Sequence, residues 1–138
     1  MSISTDFTVR DVLLPIERMP VVEPKTMFKK TLEAMSRCRL GIACIVDDDG
    51  KLVGIVTDGD VRRKLLKKQK PFPALFADDT IQHANTNPTT IDADANLRDV
   101  IVLMEKKEIW DLPVVDSDHR LLGILHLLPA IEALLGDA

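Results

Sequence analysis

The chain is written twice. Residues 41–66, GIACIVDDDGKLVGIVTDGDVRRKLL, align without a gap on residues 110–135, WDLPVVDSDHRLLGILHLLPAIEALL, at an offset of 69. Eight of the 26 pairs are identical, at Val46, Asp47, Asp49, Leu52, Gly54, Ile55, Leu65 and Leu66, and within the two strands most of the other pairs set apolar against apolar. The same offset places Val22 on Ile91, Phe28 on Leu97, Leu32 on Ile101 and Met35 on Met104, while TVRDVL (8–13) faces TIQHAN (80–85) at an offset of 72. A repeat of about 60 residues is one supersecondary unit, too small to bury its own sheet and helix faces, so two copies must pack together.

Each copy reads β-α-β-β-α. An extended piece comes first, Val21-Val22-Glu23-Pro24 or Thr89-Thr90-Ile91, and Pro24 holds the residue before it away from helix. An amphipathic helix follows. Thr26 is the expected cap of the first, with Phe28, Leu32 and Met35 at helical spacing, and Asn96 of the second, with Leu97, Ile101 and Met104. Two strands joined by a tight turn come next, IACIV–DDDGK–LVGIV and LPVV–DSDHR–LLGIL, with Asp and Gly supplying the turn. A closing helix carries Val61, Leu65 and Leu66 in one copy and Ile131, Leu134 and Leu135 in the other, and Pro129 fits its first turn. The expected fold is α+β, with units at 8–70 and 78–136 related by pseudo-two-fold symmetry and a linker near 67–79. A pair of this size leaves an apolar face for a second chain, so a homodimer is expected.

Several function classes are excluded at this level. With 46 % apolar and 29 % charged residues, the chain is a globular protein. No apolar run approaches the ~20 residues that span a bilayer, so no membrane association is expected. The start MSISTDFTVRD has neither a basic segment nor an apolar core, so no signal peptide is expected and the cytoplasm is the expected location. The net charge is −4, and four Phe and one Trp with no Tyr leave little to stack on bases, which argues against nucleic acid. The cations at 62–70 read as a solvated helix end that also suits the helix dipole. Cys38 and Cys44 read as reduced thiols. His83, His119 and His126 show no metal spacing, and DDDG lacks the calcium-loop pattern, so neither metal nor cofactor is expected. Nothing pairs a nucleophile with a base, so no catalytic residue is assigned.

The stretch GIVTDGDVRR (54–63) admits two readings. Thr57 and Asp60 have the spacing of a capping box, in which each side chain satisfies the other's backbone N–H. The same loop opens a helix, and its N–H groups at 58–60 point toward where an anion would sit. An ionised Asp60 can accept both hydroxyls of a cis-diol, and Arg62 or Arg63 can add a charge-assisted contact. The two roles are compatible, and spacing alone leaves them open.

These features together resemble a tandem pair of CBS domains over roughly residues 9–136. VRDVLLPIERMPVV, RLGIACIVDDDGKLVGIVTDGDVRR and LLGILHLL further resemble the C-terminal CBS pair of arabinose 5-phosphate isomerases, enzymes of 3-deoxy-D-manno-octulosonate (Kdo) synthesis for lipopolysaccharide. The T-D-G-D-V-R-R run is similar also to CBS pairs attached to sugar nucleotidyltransferases. The resemblance implies a regulatory pair that senses a nucleotide, AMP or ATP or a CMP-sugar, with Asp60 on the ribose and Thr57 near phosphate. Asp58 and Arg63 belong to the same loop, and Val21, Val22, Ile42 and Ala43 are the implied wall around the base. In the second copy His126 and Pro129 replace Thr57 and Asp60, so one good site per chain is expected; His126 matches a His of the isomerase-type pairs that could face the shared cleft, but a lone His after an apolar strand reads first as a structural residue. The isomerase chemistry of that family lies in a separate N-terminal sugar-isomerase domain, to which nothing here corresponds. The chain is then either a stand-alone sensor of such a partner domain or a piece excised from an isomerase or nucleotidyltransferase. A purely structural dimerisation module is the remaining reading.

Overall fold

The computed structural model describes residues 7–67 and 69–136. Its chain order is β1 (Leu14–Pro15), β2 (Val21–Val22), α1 (Phe28–Cys38), β3 (Ile42–Val46), β4 (Leu52–Thr57), α2 (Asp58–Lys67), α3 (Phe72–Phe76), β5 (Ile91–Asp92), α4 (Leu97–Lys107), β6 (Asp111–Val115), β7 (Leu121–His126) and α5 (Leu127–Leu135), with 3-10 turns at Val9–Asp11, Ile16–Arg18 and Thr80–His83. The α+β class and the repeated β-α-β-β-α order are as the sequence predicts.

Two compact units form, but not along the repeat boundaries. One runs from Arg18 to Pro88; the other joins the chain up to Glu17 to Thr89 onward. The reason is an exchange of opening segments. Val9 and Arg10 donate from their backbone N–H groups to Ala95 and Ala93, and β1 pairs antiparallel with β7 of the second copy. Conversely Thr80 and Ile81 donate to the carbonyls of Thr26 and Pro24, and Asn85 and Ile55 exchange two backbone bonds at 2.8 and 2.9 Å. Each copy's hairpin thus receives the opening segment of the other. The receiving strand carries a Gly at the contact: a Cβ on Gly123 would lie 2.1 Å from the Leu14 carbonyl oxygen, and one on Gly54 3.2 Å from that of Asn85.

In the Arg18–Pro88 unit the sheet order is β2-β3-β4, with β2 parallel and β4 antiparallel to β3. Phe28 and Met35 of α1 pack on Ala43, Ile45 and Val56, and Leu75 of α3 closes the cluster from within the predicted linker. Burying a side chain such as Phe28, 1 % exposed, contributes about 1.5–3 kcal/mol. The other unit has the order β1-β7-β6-β5 and a core of Val9, Leu97, Val100, Met104, Leu112 and Leu125 with their neighbours. Of the closing helices, Val61 and Leu134 pack on the cores as expected, whereas Leu66 is 81 % and Leu135 44 % exposed.

The two hairpins match bond for bond. Asp47 Oδ1 accepts from the N–H groups of Asp49 and Lys51, and Asp116 Oδ1 from those of Asp118 and Arg120. Both helices preceding them end on a left-handed residue that is not Gly, Arg39 and Glu108, each at φ 55°. Their starts differ. Asn96 caps α4 by accepting from the Asp99 N–H, as expected. Thr26 does not cap α1, whose N-cap is Met27 with no side-chain bond. The Thr26 hydroxyl instead accepts from Glu23 N–H, closing the turn through Pro24, while its carbonyl accepts from Thr80.

Candidate functional site

The candidate site is built where β4 passes directly into α2. Thr57 is the last residue of the strand, and the Asp58 N–H donates to the Gly41 carbonyl at 3.0 Å, which ties the helix start to the entry of β3. A Cβ on Gly41 would stand 2.8 Å from Asp58 Oδ2, the end of a side chain that would have to turn aside. The capping box is present in full: Thr57 N–H donates to Asp60 Oδ2 and Asp60 N–H to Thr57 Oγ1, each at 3.2 Å. Arg63 folds back over Gly59 and donates from Nη2 to Asp60 Oδ1 at 2.8 Å.

This geometry answers whether a cap excludes a ligand. An ionised carboxylate has about four lone-pair sites. The Asp60 oxygens each use one, for Thr57 and Arg63, and the side chain is 23 % exposed. One more acceptor position per oxygen is what a cis-diol requires. Thr57 Oγ1 accepts from Asp60, so its own O–H proton can still be donated. The cap orients the groups a ligand would use without consuming them.

The remaining expected residues fall unevenly. Val21 is 36 % exposed on β2, and Val22 is half-buried against the core. Ile42 and Ala43 are fully buried, so their side chains offer a ligand no surface. The Cys44 N–H donates to the Pro20 carbonyl, toward β2, so by strand alternation Ile42 also turns its backbone that way and Ala43 turns toward β4. His126 lies in the other unit, opposite Asp111 in the β6–β7 register, with its Nδ1 2.7 Å from Asp111 Oδ1. The second copy thus replaces the carboxylate cap by a His–Asp pair, and His126 gives α5 no side-chain cap bond. Trp110, 62 % exposed, stands where Gly41 stands in the first copy.

Among the described residues, clefts open in the Arg18–Pro88 unit. One of about 330 Å³ is lined by the C-terminal half of α1 with Gly41 and Asp58. The second, of about 230 Å³, lies along α2 and includes Asp60, Arg63 and His83. Sequence reasoning missed His83 as a site residue, since nothing in its spacing separates it from a core His. Its ring packs on Phe28 with centroids 4.6 Å apart, and its Nε2 lies 2.9 Å from Asp78 Oδ2. Lys70 grips the same carboxylate at 2.7 and 2.8 Å, and Lys70 first, then His83, hold Asp78 below its ordinary pKa. Among the described residues no cluster of His, Cys, Asp or Glu could hold a metal ion, and no helix is long and apolar enough to cross a membrane.

Comparison with known proteins places this geometry in context. The family model for the CBS domain matches residues 6–67 and 81–128. An uncharacterized protein of Helicobacter pylori is 38 % identical over 122 residues, which make up 87 % of this chain and 35 % of that protein. Arabinose 5-phosphate isomerase KdsD of Pseudomonas aeruginosa is 32 % identical over 125 residues, 91 % of this chain and 37 % of the isomerase. The chain thus spans about a third of the length of the curated relatives it matches. Among solved structures, CBSX2 in complex with AMP superposes with a TM-score of 0.81 at 29 % identity, covering 94 % of this chain and 96 % of that one. The CBS pair of MJ0100, in complex with 5'-methylthioadenosine and S-adenosyl-L-methionine, superposes with a TM-score of 0.76 at 25 % identity, over 94 % and 96 %.

Proposed function

The chain belongs to the CBS domain family, and from that premise we propose that it is a regulatory ligand sensor. It binds a nucleotide of adenosyl or cytidyl type, or a nucleotide sugar, at the Thr57–Asp60 loop. Asp60 accepts the ribose hydroxyls, Thr57 and the N–H groups that open α2 face the phosphate, and Arg63 adds charge. Val21 and Val22 with the Ile42 backbone hold the base, and Asp58 and Ala43 complete the set on this unit. The observation that carries the reading is the capping box whose carboxylate keeps unused acceptor positions. Relatives bound to AMP and to S-adenosyl-L-methionine support the ligand class.

The chain acts as a regulator rather than a catalyst. Its matches to arabinose 5-phosphate isomerases, of which it corresponds to about a third, favour a sugar-phosphate isomerase domain as the regulated partner, joined to it or separate. The same coverage favours a second reading, that the sequence is the sensing segment of such an isomerase. Exposed Leu65 and Leu66 on α2 and Leu128 on α5 support assembly into a homodimer, and a nucleotide ligand favours a cytoplasmic location.

A thermal-shift panel of AMP, ADP, ATP, CMP, a CMP-sugar and S-adenosylmethionine tests the reading. A ligand at 100 times its dissociation constant adds about 2.7 kcal/mol, several degrees for a chain of this size. No shift with any member would leave the structural dimerisation module as the better account.

A further inference from the structure

One backbone position carries no side chain in the first copy and an indole in the second. Gly41 and Trp110 are equivalent at the offset of 69, and each stands just before the first strand of its hairpin. Each makes the same backbone bond: the Gly41 carbonyl accepts from the Asp58 N–H at 3.0 Å, the Trp110 carbonyl from the Leu127 N–H at 2.9 Å. Beside Gly41 the surface falls into the cleft of about 330 Å³, whose apolar lining is Leu32, Met35 and Leu40. That volume lies within the ~300–1,000 Å³ of pockets that enclose a small organic molecule, so the cleft admits an indole. Trp110 instead stands out from its own unit, 62 % exposed.

The charges beside the two are opposite. Arg39 and Glu108 are equivalent at the same offset. Each ends its helix at φ 55°, so both side chains leave from the same backbone geometry. Both are exposed, and neither is ion-paired among the described residues. The recess therefore has a cation at its rim, and the projecting indole has an anion two residues away.

We propose that Trp110 of one copy seats in the Gly41 cleft of a second copy, with Glu108 against Arg39. Trp is the residue type that most often anchors such contacts. A pair closed by a two-fold axis makes the contact twice. The cleft shares Asp58 with the loop assigned to the nucleotide, but not Thr57, Asp60 or Arg63, and the contact stands without that ligand. It rests on the homodimer proposed above and gives it a defined anchor.

Trp110 is the only Trp in the chain, so its fluorescence reports the contact directly. The test is a dilution series of the full chain, followed in parallel by tryptophan emission and by sedimentation velocity. The expected result is a dimer with blue-shifted emission that moves to the red in step with dissociation. Trp110→Ala weakens the dimer about thirtyfold or more. Arg39→Glu and Glu108→Arg each weaken it by about fivefold, and the double reversal restores it. A dimer whose emission ignores dissociation, or a double reversal no stronger than the single ones, would overturn the contact and leave the homodimer standing. A chain that is monomeric at every concentration would overturn both.

Discussion

His119 stands where Gly50 stands in the first copy and takes the same left-handed backbone, φ 64° against 79°. Both close the same turn, with the His119 N–H donating to Asp116 and the Gly50 N–H to Asp47, each at 3.0 Å. A side chain in that conformation costs about 1–2 kcal/mol, partly offset by the extra freedom glycine adds to the unfolded chain. His119→Gly should therefore raise stability by about 0.5–1 kcal/mol, or roughly 2–4 °C in melting temperature. Gly50→Ala should lower it by about 1–2 kcal/mol. Thermal unfolding of both variants by circular dichroism checks the pair of signs.

The exchange of opening segments makes the two hairpin glycines unequal. A Cβ on Gly123 collides with the Leu14 carbonyl at 2.1 Å, whereas on Gly54 the nearest atoms are at 3.2 and 3.3 Å. Overpacking costs about 1–3 kcal/mol where neighbours can shift and more where they are backbone. Gly123→Ala should cost more than about 3 kcal/mol and raise hydrogen exchange at Leu14 and Ile124, while Gly54→Ala costs about 1. Equal losses at the two positions would contradict the observed pairing of β1 with β7.

Two carboxylates contribute to the loss of stability in acid. Asp78 is held below its ordinary pKa by Lys70 and then His83, and Asp116 by the backbone N–H of Arg120 and then of Asp118. A carboxyl group with a depressed folded pKa contributes stability that is fully present above its unfolded value, about 3.9, and is lost as pH falls through the folded one. Asp116→Asn keeps an acceptor oxygen but not the charge. It should be less stable than the parent at neutral pH, with the gap closing below about pH 4. Urea unfolding midpoints from pH 7 down to 2 measure this, and a gap independent of pH would refute it.

The capping box predicts coupling. Thr57→Ala and Asp60→Ala should each cost about 0.5–2 kcal/mol. The double variant should cost less than their sum, because each single change already breaks the reciprocal pair. Strict additivity in chemical denaturation would mean that the two bonds at 3.2 Å do not act together.

Much of this was legible because it is local. Helix spacing, the Asp-centred turns and the Thr57–Asp60 box depend on residues a few positions apart, and each forms as the spacing predicts. The exchange was not legible, because TVRDVL and TIQHAN are alike enough that either could lie on either hairpin. The choice is made by contacts dozens of residues apart, such as Val9 with Ala95 and Thr31 with Thr80, whose hydroxyls are 2.6 Å apart. Thr26 failed as a cap for a related reason. Its carbonyl and hydroxyl are committed to Thr80 and Glu23, and α1 opens one residue later. His83 carried no signal at all, since its role depends on Asp78, Phe28 and α2 meeting around it.

The most direct test is a calorimetric titration of AMP into the parent chain and into Asp60→Asn, which keeps the side chain's shape and one acceptor oxygen. The account predicts saturable binding to the parent and an affinity at least about tenfold weaker in the variant, the loss of roughly one charge-assisted hydrogen bond. Equal affinities would move the nucleotide away from the Thr57–Asp60 loop. No heat with the parent, for AMP and for a CMP-sugar alike, would contradict the sensor itself.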